Sequence, residues 1–323
     1  MNDSLNGRGH AGLRLVVALG GNAILRRGDN GTIEAQFERS EEAMAHIVPL
    51  IAAGHHVVLT HGNGPIVGNI LLRNEAARDQ VPPMPLYIAD ADSEGGIGVM
   101  LQQALANALR RTGIKRPVAT VVTQVVVDGS DPAFVQPTKP IGPIYSAEEA
   151  ERLAHERGWV MSDQPGCGWR RIVASPRPLR VVETPSIEAL VAAGHVVIAA
   201  GGGGVPVVEA PDGTLSGIDA VVDKDWASAV LAREVGADVL VILMEADAVY
   251  LDWDTPSARR LDRLTVAEAE RLLESDAFAS GSVGPKVAAA AQFARETGRE
   301  ALICASEHFE AALAGSSGTR ITP

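Results

Sequence analysis

Four consecutive glycines, Gly201-Gly202-Gly203-Gly204, follow the apolar run Val196-Val197-Ile198-Ala199-Ala200. A buried strand that ends this way brings backbone N–H groups to a sheet edge with no Cβ atoms in front of them. Such an edge suits a bulky anion. Two more strand-to-glycine junctions lie upstream. Residues 13–19 run into Gly20-Gly21-Asn22, and residues 57–60 into His61-Gly62-Asn63-Gly64. One junction of this kind is a turn; three in one chain point to convergence on phosphate groups.

A chain of 323 residues with 46% hydrophobic side chains has ample material for a core. Only 4% of its residues are aromatic, so that core is aliphatic. Val, Ile, Leu and Ala in strand-sized runs suit a parallel sheet covered on both faces. The net charge of −12 argues against nucleic acid as a partner, because no basic face compensates it. It leaves room for anionic substrates, since a few lysines and amide-lined loops reverse the potential locally. Cys167 and Cys304 are isolated, which gives neither a disulfide framework nor a zinc spacing. We expect a reduced, cytoplasmic setting and no membrane association, because no apolar run approaches a membrane-spanning length. Residues 1–12 are polar and glycine-rich and read as a disordered tail.

Strands alternate with helical segments along most of the chain. This predicts an α/β fold: a three-layer αβα sandwich around a mainly parallel open sheet. Residues 34–53 read as a helix that Pro49 kinks or shortens. Pro65 suits the first position of a helix running to about Ala77. Residues 93–96 are expected to precede a helix over 97–111. Residues 118–127 form the longest β-branched run and read as a central strand. Residues 128–180 hold seven prolines, Trp159 and Trp169, and one helix with a capping box, Ser146 to Glu149. They read as a small protruding subdomain. We therefore divide the chain into an N-terminal lobe over 13–200, which carries the subdomain, and a C-terminal lobe over 201–323.

In an open α/β sheet, ligands lie beyond the carboxyl ends of the strands. The first two junctions each precede a helix, so their amides and the positive end of the helix dipole face that crevice. Asn22 and Asn63 hold matching positions. A side-chain amide donates to a phosphoryl oxygen or accepts from an amine. The phosphate-binding pattern GxxxxGK[ST] is absent, and strand-like Val205-Pro206-Val207-Val208 after the glycines argues against a dinucleotide fingerprint. Lysines are scarce beside arginines, which draws attention to Lys139, Lys224 and Lys286. Lys286 sits at a helix start, where a cation opposes the dipole unless an anion is bound. Lys224 is flanked by Asp223 and Asp225, so a salt bridge competes with a catalytic reading. Such lysines suit phosphoryl transfer, in which the protein mainly positions and neutralises charge. Glu245 and Asp247 follow a strand where a base or ribose would be read. His61 fits an orienting role better than a general base.

These motifs together resemble the carbamate kinases of the amino acid kinase family. The resemblance covers nearly the whole chain from Leu15. It rests on Ala18-Leu-Gly-Gly-Asn-Ala23, His61-Gly-Asn-Gly-Pro65, Thr123-Gln-Val-Val-Val-Asp128, Pro137-Thr-Lys-Pro-Ile-Gly142, Gly168-Trp-Arg-Arg171, Ser175-Pro-Arg-Pro178, Gly201-Gly-Gly-Gly-Val-Pro206, Asp223-Lys-Asp225 and Pro285-Lys286. It implies a phosphotransferase with a carboxyl-type acceptor that interconverts carbamoyl phosphate plus ADP with carbamate plus ATP, using Mg2+. It implies a homodimer that works in arginine catabolism by the deiminase route. Gly20, Gly21, Asn22, Gly62, Asn63 and Gly64 would hold carbamate and the transferred phosphoryl group. Lys139 would reach that group from the subdomain. Lys224 and Lys286 would face the nucleotide phosphates with Asp225 organising them, and Gly202, Gly203, Glu245 and Asp247 would lie on the nucleotide side. The resemblance assigns no metal ligands.

Glu94, Val99 and Ile66 depart from the family pattern near the expected acceptor side or dimer helices. They motivate a rival reading, a kinase of this fold acting on another small carboxylate or carbamate. A rival of another class is a non-catalytic carbamoyl-phosphate or nucleotide sensor, against which the retained lysines argue.

Overall fold

The computed structural model describes residues 12–21, 24–25, 29–164, 166–275, 277–278 and 283–323. Its centre is an eight-stranded sheet. From one edge, the strands are Arg263–Thr265, Thr319–Thr322, Glu300–Ala305, Val239–Met244, Arg14–Leu19, His56–His61, Val196–Ile198 and Val118–Thr120. The six from Glu300–Ala305 onward run parallel. Thr319–Thr322 runs against Glu300–Ala305. The sheet is continuous, with strands from residues 13–200 forming one half and strands from 201–323 the other.

Side-chain parity explains the layers. Successive strand residues point to opposite faces. Leu15, Val17 and Leu19 join one core with Val57, Leu59, Val239 and Val241. Val16 and Ala18 join the other with Val58, Leu240 and Ile242. Helices Ile33–Ala45, Val48–Ala52, Leu86–Arg111 and Phe309–Leu313 cover the first face. Helices Thr184–Ala192, Lys224–Glu234 and Val283–Thr297 cover the second. Burying one aliphatic side chain contributes about 1.5–3 kcal/mol, and each strand supplies several to each face. The three-layer αβα reading is therefore borne out. No helix among the described residues is long and apolar enough to cross a membrane.

Two smaller sheets extend this frame. Val205–Glu209 pairs with Leu215–Gly217 in a hairpin and, on its other side, with Gln124–Val127, which in turn pairs with Pro178–Val181. The protruding subdomain is a three-stranded antiparallel sheet, Lys139–Tyr145, Gly168–Val173 and Met161–Gln164. It carries the helix Ala147–Arg157, whose Ser146–Glu149 capping box is present. The subdomain rests on helix Gly64–Ala76. A Cβ on Gly68 would lie 3.2 Å from the Gly142 Cα, and Arg157 pairs with Glu75 at 2.9 Å.

Several expectations are corrected. Residues 118–127 are not one central strand. Val118–Thr120 forms the edge of the main sheet, and Gln124–Val127 belongs to the second sheet. The break arises at Thr123, whose N–H donates to the Glu94 carboxylate and whose hydroxyl accepts from the Ala200 N–H. Residues 93–96 do not precede a helix; they lie inside Leu86–Arg111, which starts just after Pro85. Pro49 divides the 34–53 pattern into two helices and sits in the first turn of the second. The short strands Arg259–Leu261, Arg263–Thr265 and Thr319–Thr322 have no counterpart in the sequence reading.

Removing the subdomain's helix cap, Ser146→Ala, is expected to cost about 1 kcal/mol. Amide hydrogen exchange over 147–157 should speed up while that of the central strands stays unchanged.

Candidate active site

The parallel strands Arg14–Leu19, His56–His61, Val196–Ile198 and Val239–Met244 end on one side of the sheet. The loops and helix starts beyond these ends enclose a cleft of about 850 Å³. Gly20, Gly21, Gly62, Asn63, Gly64 and Gly202 form its floor. Lys139 enters from the first residue of the subdomain strand. Lys224 and Asp225 come from the first turn of helix Lys224–Glu234, and Lys286 from the first turns of Val283–Thr297. Glu245, Tyr250 and Trp253 line the other end.

The glycines are there for packing. A Cβ on Gly62 would lie 3.3 Å from the Lys224 side chain and 3.4 Å from the Gly21 nitrogen. The two junctions and this lysine therefore touch without any side chain between them. The four glycines close the floor from behind. A Cβ on Gly201 would strike the His61 ring at 2.4 Å, and one on Gly202 the Asn63 amide at 2.2 Å. Gly203 would strike the Val222 carbonyl at 2.1 Å and Gly204 the Val125 side chain at 2.3 Å. Gly202, Gly203 and Gly204 also adopt positive φ, as does Ala200. Only Gly202 of the four lines the cleft. Gly203, expected on the nucleotide side, packs beneath Val222 instead.

Charge in the cleft is organised by two aspartates. Asp225, nearly inaccessible, accepts from Lys224 at 2.5 Å through Oδ1 and from Lys286 at 2.8 Å through Oδ2. Burial works against this carboxylate, but the two ammonium groups outweigh it and hold its pKa down at about 2. Burial in turn pushes Lys224 below the ordinary lysine range, with Asp225 opposing the shift and Lys286 adding to it. Asp223 caps the same helix by accepting from the Asp225 N–H through Oδ1 at 3.0 Å. Its Oδ2 accepts from Lys139 at 2.8 Å. The site thus gathers three ammonium groups and the start of a helix around one space, an arrangement suited to phosphate oxygens.

His61 stands behind the floor. Burial pushes its imidazole down to about 4, helped by nearby Lys224 and opposed by the Gly62 carbonyl. The ring is neutral near pH 7, and its Nδ1–H donates to that carbonyl at 3.1 Å. This matches an orienting role for the second junction. Asn22 lies outside the described residues. Asp247 is not brought to the cleft: its carboxylate is held by Arg260 and accepts from the Tyr250 hydroxyl at 3.0 Å. Glu245 does reach the lining.

The three departures from the family pattern also find their places. Glu94 is buried and accepts from the Thr123 N–H at 2.7 Å. Burial raises its carboxyl well above the usual range. Val99 is exposed on the outside of its helix, and Ile66 packs against a core. None of the three lines the cleft. Sequence reading misses Asp90 and Ser93, which bond to Asn63 from helix Leu86–Arg111. A signal exists: Leu86, Asp90, Ser93, Glu94, Ile97 and Leu101 recur at core-facing helical spacing, and polar residues at such positions mark a buried network.

Comparison with known proteins agrees with this geometry. Residues 13–305 match the model of the amino acid kinase family. A carbamate kinase of Pyrococcus horikoshii is 46% identical over 96% of this chain and 99% of its own. A carbamate kinase-like protein of Escherichia coli is also 46% identical, over 95% of this chain and 98% of its own. The solved carbamate kinase from Giardia lamblia bound to AMP-PNP superposes with a TM-score of 0.90 at 40% identity, covering 97% of this chain and 99% of its own.

Two outcomes are expected. Gly203→Ala combines a positive φ with a blocked Cβ and should cost about 3 kcal/mol or more, read by urea unfolding. Acid should act through opposed contributions: Asp90, raised to about 8, and Glu94, also raised, favour the folded state as pH falls, whereas His61 and Asp225 disfavour it. The unfolded state takes up the His61 proton near pH 6.5, whereas the folded state resists until about 4, so the His61 contribution falls across that window by up to about 3 kcal/mol, and Asp90 offsets it there. Below about pH 4 the unfolded state protonates Asp225 first, and a second loss sets in as pH approaches 2. In a pH series of unfolding curves, His61→Gln should gain stability relative to the original chain as pH falls from 6.5 to 4, and keep the loss below pH 4.

Proposed function

This chain belongs to the amino acid kinase family, and we propose that it is a phosphotransferase that interconverts carbamoyl phosphate plus ADP with carbamate plus ATP. The observation that carries the reading is the placing of Lys139, Lys224 and Lys286, with two glycine junctions, around a single cleft. The family alone allows several acceptors, and relatives described as carbamate kinases and as carbamate kinase-like are equally similar. The residues that motivated another acceptor do not touch the cleft, which favours carbamate.

In the ATP-forming direction, a terminal oxygen of the ADP β-phosphate attacks phosphorus. The bond from phosphorus to the carbamoyl oxygen breaks, and carbamate leaves with the electron pair. No proton need be removed from the attacking oxygen, which suits a site whose buried histidine is neutral and engaged. The first junctions hold the transferred group through backbone amides. Lys139 meets that group from the subdomain side. Lys224, fixed by Asp225, lies where charge builds up between the two phosphates, and Lys286 faces the nucleotide. Preorganised donors of this kind act on the transition state without reorganising at the moment of reaction. Asp223 and Asp225 are engaged by lysines, so magnesium would enter as part of MgADP, held chiefly by phosphate oxygens. Homodimer assembly, cytoplasmic residence and a place in arginine breakdown belong to the same proposal and rest on the family resemblance.

The test is ATP formation from carbamoyl phosphate and MgADP, followed by luciferase. Lys139→Ala should lower kcat by about 10²–10³, the scale of losing one charge-stabilising donor, and leave the unfolding curve nearly unchanged. ATP no higher than in that variant would sink the reading. Saturable binding of carbamoyl phosphate without turnover would support the sensor instead.

A further inference from the structure

Asn63 lies in the cleft, on the loop that opens helix Gly64–Ala76. Its side-chain nitrogen is occupied twice, at 2.9 Å from Ser93 Oγ and 3.3 Å from Asp90 Oδ1. The Ser93 hydroxyl already donates its single proton to the Asp90 carbonyl at 2.7 Å. Toward Asn63 it therefore acts only as an acceptor, and Asn63 must donate to it. This fixes which end of the amide is which, a point that atomic positions alone leave open. Both N–H bonds point into helix Leu86–Arg111, and the carbonyl oxygen is the end left for the cleft. Gly202 packs against the amide from below, and a Cβ there would overlap it. Asp90 and Ser93 are both fully buried, so water does not compete for these bonds.

We propose that Asp90 and Ser93 are positioning residues that present the Asn63 carbonyl to the acceptor side of the cleft, where it selects substrates that carry an N–H over isosteres that carry a methyl group. The inference rests on the carbamoyl phosphate reading above. The amine of carbamoyl phosphate can donate to this carbonyl; the methyl group of acetyl phosphate cannot and leaves it unpaired. A site built around a hydrogen bond rejects the analogue that lacks it far better than an apolar pocket rejects a small change in size. Burial holds the Asp90 carboxyl up at about 8, so it is largely neutral near pH 7 and sets no negative charge against the phosphoryl group. Its Oδ1 accepts from Asn63 in either protonation state. With Ser93 or Asp90 removed, the amide is free to turn and present its nitrogen instead.

The experiment measures kcat/KM for carbamoyl phosphate and for acetyl phosphate with saturating MgADP. Where acetyl phosphate is not turned over, its inhibition constant against carbamoyl phosphate replaces the second value. Ser93→Ala should reduce the preference for carbamoyl phosphate at least tenfold, with the KM for ADP unchanged. Asp90→Asn keeps an acceptor oxygen of the same reach and should retain the preference within about threefold of the original chain, whereas Asp90→Leu should lose it. Ser93→Ala and Asp90→Leu that slow both donors by the same factor, or leave the preference intact, would overturn the positioning role while the kinase reading stands. An original chain that makes no ATP from carbamoyl phosphate would overturn both.

Discussion

Everything at this site depends on one carboxylate between two ammonium groups. Bringing Lys224 and Lys286 together in a half-closed cleft is unfavourable by itself, because burial and mutual repulsion both drive protons off. Asp225 opposes those effects with one oxygen for each lysine. Burial works against this carboxylate, and its place in the first turn of a helix, whose dipole favours a negative charge, offsets part of that cost. The result is three ammonium groups held at one cleft, balanced by Asp223, Asp225 and Glu245, on a chain whose net charge is −12. An anionic substrate meets the local field of the cleft more strongly than the distant field of the surface, which salt screens within about 10 Å.

The framework that presents these charges is made of backbone. Helices and strands meet the cleft at glycines, and the four-glycine turn lets His61, Asn63, Val222 and Val125 close on one another at distances no side chain would permit. A sequence run that first suggests a phosphate cradle is thus mainly the packing centre behind the cradle. The glycine backbone that lines the cleft belongs mainly to the two earlier junctions. The second of them is backed by the buried polar residues His61, Asn63, Asp90, Ser93 and Glu94.

Much of this was legible in the residues, for identifiable reasons. Strands such as Arg14–Leu19 announce themselves because both faces are buried, so the apolar run is unbroken until glycine ends it. Lys139, Lys224 and Lys286 stand out because lysine is scarce and two of them open helices. The failures are equally physical. An apolar run does not say which sheet it joins, and residues 118–127 serve two. The start of helix Leu86–Arg111 is hidden because Asp90, Ser93 and Glu94 interrupt its apolar face while remaining inside the protein. The strand Thr319–Thr322, second from one edge of the main sheet, is too short and too polar to register. Asp247 looks like a ligand-reading carboxylate until Arg260, from a hairpin that no local pattern places, claims it. The orientation of the Asn63 amide depends on a proton given by Ser93 to a carbonyl, which no sequence spells out.

Asp223 divides its labour between its two oxygens. Oδ1 holds the start of helix Lys224–Glu234, and Oδ2 holds Lys139 from the subdomain. A phosphate that drew Lys139 away would leave the first bond intact. The charge above the helix start is therefore adjustable while the scaffold beneath it is not, and the enzyme separates the wiring of its cleft from the masonry.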